Sequence, residues 1–221
     1  MITRNIFLVA LLFCLGFGCS IGKQQVGGSL IKTENQRPLD GFSGFYFPLR
    51  HADQNGNENA IDSFSNSWYS RMLFALKEPV LYNYTGNKEV YRFTWLRTFN
   101  HPISIRLEKE DSAITLIVKE SNGRSGYGPG TIILDTVISL TNVQWMGFEQ
   151  KIATTDFWNL PTRDTAEAGL DGAEWILESL KEGKYHIVVR WSPIVTKNQF
   201  ADLGRDLIRL SKLRIDSRDL Y

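Results

Sequence analysis

Three consecutive stretches of this sequence alternate between apolar and polar residues, and no other feature limits the fold as strongly. Successive side chains of a strand point to opposite faces, so a period of two predicts half-buried strands. The links between the stretches are short, which predicts antiparallel neighbours. The apolar positions are Tyr91, Phe93 and Trp95 in the first stretch, Ile103, Ile105 and Leu107 in the second, and Ile114, Leu116 and Val118 in the third.

Further elements flank these strands. A fourth strand is predicted over 131–140, and two more over 173–180 and 184–191. Apolar residues at helical spacing predict three helices, one of them opened by the capping-box pattern that starts at Thr141. The sequence therefore predicts an α+β fold with an antiparallel β-sheet of about six strands and three helices packed mainly on one face.

The last two strands are predicted to form a hairpin. Residues 181–183 separate them, and three-residue hairpin loops favour glycine in the left-handed position, here Gly183. A loop of that length places Glu178 opposite His186. By the same count Glu174 lies opposite Arg190, so that opposite charges face one another across the hairpin.

This pairing predicts a polar hairpin face, and its role has three interpretations. A carboxylate opposite a histidine could support acid–base chemistry. The same face could bind a ligand or partner, or it could be a solvated surface held by cross-strand ion pairs. The candidate binding face comprises Asp171, Glu174, Glu178, His186 and Arg190.

The glycine-rich segment 121–130, which reads SNGRSGYGPG, has two interpretations. Its backbone N–H groups could wrap a phosphate, with Arg124 as the partner cation. However, Pro129 lacks a donor and a strand follows instead of a helix, which favours a long hairpin loop. Arg124 and Tyr127 then form a candidate contact loop.

The N-terminus has the pattern of an export signal. Arg4 precedes an apolar run over 6–18, which is too short to span a bilayer but has the length of a signal-peptide core. An ordinary signal peptidase could cut after Gly18, because Gly16 and Gly18 are both small. The run also resembles the signal of bacterial lipoproteins, which implies cleavage before Cys19 and lipidation of its sulfur.

The lipoprotein interpretation divides the chain into a signal peptide over 1–18, a flexible tether over 19–39 that starts at the lipidated cysteine, and a single α+β domain over 40–221. Cys14 and Cys19 are the two cysteines of the sequence. With Cys14 removed and Cys19 acylated, no disulfide, zinc–thiolate site or cysteine nucleophile is expected. The expected location is the bacterial cell envelope, with the outer membrane compatible with Ser20.

Charge excludes some classes of partner. Lysine and arginine number 25 against 24 aspartate and glutamate residues, so a nucleic-acid footprint is not expected. Membrane attachment would depend on the lipid anchor, because no polybasic cluster is present. The sequence shows no histidine spacing typical of metal sites, and we expect no cofactor and no metal.

The C-terminal third to half resembles a group of uncharacterised bacterial proteins. The similarity lies in the motifs FW-x-LP at 157–161, DG-x-x-W-x-LE at 171–178 and YH-x-V-x-RW-x-P at 185–193. Members of that group are often exported or lipid-anchored. The resemblance implies no activity, and it draws attention to Asp171, Glu178, His186 and Arg190.

The sequence therefore favours a lipid-anchored envelope protein that binds an envelope protein or a small ligand. One alternative is a hydrolase-like enzyme that uses His186 with Glu178 or Asp171. Another is a structural or immunity-type protein that covers a site on a second protein.

Overall fold

The structure is a computed structural model, and it describes residues 44–52, 58–59, 61–164, 169, 171–196 and 199–221. The predicted signal peptide, Cys19 and the predicted tether over 19–39 lie outside these residues. Within the described ranges, no helix combines the length and the apolar content needed to span a membrane.

The main sheet has six strands, and every neighbouring pair in it is antiparallel. A short pair, β1 (His51–Ala52) and β2 (Glu58–Asn59), stands outside it. The strands of the main sheet lie in the order β6-β5-β4-β3-β7-β8. Their bounds are β3 Glu89–Arg97, β4 Ile103–Glu110, β5 Ala113–Ser121, β6 Ile132–Ser139, β7 Ala173–Lys181 and β8 Lys184–Trp191.

Three α-helices accompany the sheet in the described chain: α1 (Ser63–Ala75), α2 (Asn142–Thr154) and α3 (Gln199–Ser211). The α+β architecture expected from the sequence is thereby confirmed. The predicted capping box is present at the start of α2, where the Gln144 backbone N–H donates to Thr141 Oγ1 over 3.3 Å. The Gln144 side chain accepts in return from the Thr141 N–H over 2.9 Å. Two free backbone donors of the first turn are thus satisfied within the segment itself.

The helices cover the two faces of the sheet unequally. Two of them, α2 and α3, pack on one face, which we call the α2/α3 face; α1 packs on the other, the α1 face. The α2/α3 face carries the predicted apolar stripes of β3, β4 and β5. Its largest fully buried side chains include Phe93, Trp95, Trp175, Phe148 and Phe200.

The predicted register of the β7–β8 hairpin is wrong by one residue. Lys181 pairs with Lys184, so the loop consists of Glu182 and Gly183 alone. Both residues have positive φ, 51° and 74°, which is the conformation of a two-residue type I′ turn. Because a strand alternates with a period of two, this shift moves the side chains of β8 to the opposite face relative to β7.

The turn yields a prediction about stability. Glu182→Asn should raise the free energy of unfolding by about 0.5–1 kcal/mol, because asparagine tolerates the left-handed region better than glutamate. Urea denaturation measures the change.

Gly183→Ala is the matched control, because a Cβ at this position meets no atom within 4 Å and a loss there reports backbone conformation alone. This variant should destabilise the chain. If Gly183→Ala destabilises the chain but Glu182→Asn is neutral or destabilising, the result would support the three-residue loop over 181–183 instead.

Candidate functional site

The shifted register separates the members of the predicted hairpin face. Glu174 and Glu178 project to the α1 face, whereas His186 and Arg190 project to the α2/α3 face with Trp175. The partner of His186 on β7 is Ser179. Ser179 lies eight residues after Asp171, which corresponds to roughly 25 Å along an extended chain. The structure therefore does not bring His186 together with Glu178 or Asp171.

Two of the three carboxylates of the predicted face, Glu174 and Glu178, are buried and bound by neighbouring side chains, whereas Asp171 is exposed. Glu174 accepts a hydrogen bond of 2.7 Å from the Tyr69 hydroxyl of α1. Glu178 accepts from Arg92 Nε over 2.6 Å and from the Tyr185 hydroxyl over 2.9 Å. Burial raises the pKa of Tyr69 and of Tyr185, and the neighbouring carboxylates add to that rise, so both hydroxyls stay protonated and donate.

The two basic residues of the predicted face are buried on the opposite side of the sheet. His186 Nε2 lies 3.0 Å from the Leu160 carbonyl oxygen, and its Nδ1 lies 3.2 Å from His51 Nε2. Arg190 Nη1 donates to the carbonyl oxygens of Val189 over 2.8 Å and of Pro161 over 3.1 Å. These contacts hold the segment around Leu160 and Pro161 against the sheet.

A buried row of charges occupies the α1 face instead. Arg92 and Arg106 stand directly opposite each other on β3 and β4, and Glu178 faces Arg92 from β7. Two guanidinium groups in such positions repel unless an anion lies between them. Glu78 supplies that anion: its Oε2 accepts from Arg106 Nε over 2.7 Å and lies 3.7 Å from Arg92 Nη1.

The segment that carries Glu78 also covers the row. It links α1 to β3, and its backbone carbonyl groups accept from the basic side chains beneath. Arg92 Nη1 donates to the Pro79 oxygen over 2.5 Å, and Lys119 Nζ donates to the Lys77 oxygen over 2.9 Å. The side chains of Glu78, Arg92 and Glu178 are fully buried as a result.

The pKa values in the row follow from burial and from the neighbouring charges. Burial alone would raise the pKa of Glu78, but Arg106, Arg92 and Lys119 outweigh it and hold that pKa below its ordinary value. At Glu178 burial prevails and raises the pKa, although Arg92 and the Tyr185 hydroxyl oppose the rise. Of the two carboxyl groups, Glu78 is therefore the one whose pKa folding lowers.

This difference predicts a pH-dependent variant. A carboxyl group whose pKa is lowered by folding contributes stability above its unfolded pKa, near 4.5, and loses that contribution as pH falls through the folded pKa. Glu78→Gln should cost about 3 kcal/mol at pH 7, because it leaves two buried guanidinium groups without their shared anion. The difference in the free energy of unfolding between this variant and the wild type should shrink below pH 4.5.

Urea denaturation between pH 7 and pH 3 measures this gap. Asp202→Asn serves as the control, because Asp202 is exposed and pairs only with Arg205 of the same helix in the described contacts. A gap for Glu78→Gln that stays constant over the whole range would contradict an ionised Glu78 in the native state.

The predicted contact loop joins β5 to β6, as expected for a long hairpin loop. The backbone N–H groups of its tip, residues 124–128, are occupied: Gly126 donates to the Thr98 oxygen over 3.1 Å, and Arg124 and Gly128 donate to each other's carbonyl oxygens over 2.8 and 2.9 Å. They are therefore not available to wrap a phosphate. Gly130 has φ 66°, and a Cβ there would overlap the backbone nitrogen of Gly123, so the neck of the loop requires glycine.

A polar pocket of about 440 Å³, here called the end pocket, opens beside this loop. It lies where β3 ends, β4 begins and β5 ends, and the segment after α3 closes its far side. The residues that line it include Arg97, Phe99, Asn100, His101, Glu120, Asn122, Arg124, Arg214, Asp216 and Asp219. Arg124 of the predicted contact loop is thus part of the pocket wall.

Two exposed aromatic rings stand together at the end pocket. Tyr127 is 70 % exposed, and its ring centroid lies 6.4 Å from that of Phe99, which is 48 % exposed. The loop is held from below by Trp68 of α1, whose Nε1 donates to the Ser125 oxygen over 2.6 Å. The rings are therefore presented to solvent on an anchored loop, which is the arrangement of a contact surface.

Arg97 has an unusual place in this pocket. It belongs to the apolar stripe of β3, is 4 % exposed, and lies 4.0 Å over the Trp95 ring. Burial lowers the pKa of Arg97 against the opposing effects of Tyr221, Asp219 and Glu120. Arg97 is absent from the residues predicted for a site, although a charge at a position that continues Tyr91, Phe93 and Trp95 is a visible signal in the sequence. No comparable sequence pattern marks Arg214, which follows α3.

A second concavity, of about 730 Å³, lies between α2 and α3. Its charged residues are engaged with one another: Asp206 binds Lys151 over 2.7 Å and Arg209 over 2.6 Å, and Asp202 binds Arg205 over 2.6 Å. In the part of the chain that the structure describes, no group of three or more histidine, cysteine, aspartate or glutamate residues could hold a metal ion. The end pocket is the stronger candidate site.

Comparisons with known proteins add no identification. No protein-family model matches the chain, and no curated protein or solved structure matches it. The resemblance of the C-terminal motifs to a group of bacterial proteins stays a prediction. The candidate site therefore depends on its own chemistry.

Proposed function

We propose that this chain is an exported bacterial protein, held to a membrane of the cell envelope by a lipid on Cys19, that binds a ligand or partner at the end pocket. The first half of the proposal depends on the sequence alone: an apolar run over 6–18 that ends in Gly18 and Cys19. The outer membrane is compatible with Ser20.

The observation that carries the second half is the set of uncommitted groups at the end pocket. Arg124 and Arg214 line it, and neither has an ion-pair partner among the described residues. Phe99 and Tyr127 expose apolar rings next to them. Cationic groups and aromatic rings that converge on a pocket within the usual 300–1,000 Å³ are what small-ligand sites present.

Binding is favoured over hydrolysis because of where the acid–base candidates lie. His186 and Glu178 project to opposite faces of the sheet, and both are themselves buried and engaged by neighbouring groups. A general base must lie within hydrogen-bond reach of the proton that it takes, directly or through a water molecule. The contacts of His186 instead go to the Leu160 carbonyl oxygen over 3.0 Å and to His51 over 3.2 Å.

The anchor yields a prediction in cells. Cys19→Ser should move the protein from the membrane fraction to the soluble envelope fraction, because a lipid on sulfur cannot form without the thiol. Cys14→Ser is the matched control, since Cys14 lies inside the segment expected to be removed and its variant should stay membrane-bound.

Fractionation followed by immunoblotting reads out the location, and intact-mass analysis reads out the lipid. The proposal predicts a chain that begins at Cys19 and carries added acyl mass. An unmodified thiol at residue 19, or equal membrane association of both variants, would contradict it.

A further inference from the structure

We propose that the end pocket binds an acidic sugar, meaning a sugar ring that carries a carboxylate or a phosphate group. The inference rests on the proposed function, because it names the class of ligand that the same pocket would hold. Three features of the pocket lead to it: a buried arginine without a carboxylate partner, two exposed arginines beside it, and an exposed pair of aromatic rings.

The buried arginine is Arg97. Its described hydrogen bonds are long and go to backbone oxygens, 3.4 Å from Nη1 to Asp219 and 3.3 Å from Nη2 to His101. Its Nε has no hydrogen-bond partner. No carboxylate oxygen lies within 4.0 Å of it among the described residues, although a buried charge normally has such a partner. An anion in the pocket would supply the missing charge.

The remaining charges of the pocket are unequally engaged with partners inside the protein. Three guanidinium groups and three carboxylates line it. Two of those carboxylates have cationic or imidazole partners of their own: Glu120 Oε1 lies 2.7 Å from His101 Nδ1, and Asp216 Oδ2 accepts from Arg218 Nη2 over 2.9 Å. Arg124 and Arg214 have no such partner among the residues described. The groups left for a ligand are therefore mainly cationic.

Guanidinium groups limit the kind of anion. The planar fork of arginine donates two parallel hydrogen bonds, which matches the oxygen pairs of carboxylate and phosphate. The backbone N–H groups of the loop tip are already used within the protein, so the side chains must carry recognition. Carboxylate and phosphate satisfy this fork equally well, and the experiment below distinguishes them.

The neutral walls of the pocket fit a sugar ring. Phe99, which lines the pocket, and the neighbouring Tyr127 ring offer apolar faces against which the C–H face of a sugar can pack. Asn122 uses its side-chain oxygen to accept from the Thr131 N–H over 2.9 Å, which leaves its amide hydrogens to donate to a hydroxyl group. A bare inorganic anion would use the arginines and leave these rings exposed.

The test uses the mature lipidated protein, which begins at Cys19, in a neutral detergent. Isothermal titration at low salt with D-glucuronate, D-glucose 6-phosphate and D-glucose compares the two acidic sugars with the neutral one. We expect at least one acidic sugar to bind at least tenfold more tightly than D-glucose. Whichever acidic sugar binds identifies the anionic group that the pocket accepts.

The double variant Arg124→Gln with Arg214→Gln should weaken this binding at least tenfold. Arg71→Gln is the matched control, because Arg71 is an exposed arginine of α1 that does not line the pocket. Absence of saturable heat with both acidic sugars would overturn the inference. So would binding that the double variant leaves unchanged.

A separate experiment tests the proposed function alone. A photoreactive phenylalanine derivative is placed at residue 127 in cells, and at residue 82 as a control, since Tyr82 is exposed but does not line the pocket. Envelope adducts at residue 127 without sugar binding would retain the binding function and reject the acidic sugar. Neither adducts nor sugar binding would reject both.

Discussion

The ion pair between Arg92 and Glu178, extended by Glu78 to Arg106, is the interaction on which this structure depends. It lies across three adjacent strands, and all four side chains are buried or nearly so. Two arginines that face each other on β3 and β4 are tolerated only because Glu78 enters between them. The segment between α1 and β3 must therefore lie over the sheet, and it buries the polar face of these strands.

That constraint determines where function can be located. A polar sheet face that is covered by another segment is not accessible to a substrate, and the same holds for the buried carboxylates of β7. The chemistry that remains uncommitted lies at one end of the sheet, where strand ends, the β5–β6 loop and the segment after α3 meet. Binding sites are commonly built in this way, from loops positioned by a rigid scaffold. A lipid on Cys19 would hold this binding site near a membrane surface.

Much of the fold followed from local patterns. The alternation of Tyr91, Phe93 and Trp95 predicted β3, and Thr141 with Gln144 predicted the start of α2, because each pattern records a local requirement of the backbone. The hairpin register did not follow, since glutamate at a positive φ is uncommon and a three-residue loop with one left-handed glycine is the more regular solution. One residue of error then exchanged the faces of every side chain on β8.

The candidate site was less predictable, for two physical reasons. Alternation shows that a strand has a polar face but not whether water or another segment covers it, so the burial of Arg92 and Glu178 did not follow from the sequence. Arg124 and Tyr127 were visible as a loop, but Arg214 joins them only through tertiary packing from more than eighty residues along the chain. Of these residues, Arg97 alone interrupts a local pattern, the apolar alternation of β3, and functional positions often depart from such patterns.

A double-mutant cycle between Arg92 and Glu178 tests the central claim most directly. Arg92→Met, Glu178→Met and the double variant are compared with the wild type by urea denaturation at pH 7. Each single variant should lose about 3–5 kcal/mol, because it leaves one buried charge without its partner. The double variant should recover at least about 2 kcal/mol of the summed losses. Additive losses with a coupling below about 0.5 kcal/mol, the range of solvent-exposed pairs, would contradict a buried ion pair at the centre of the sheet.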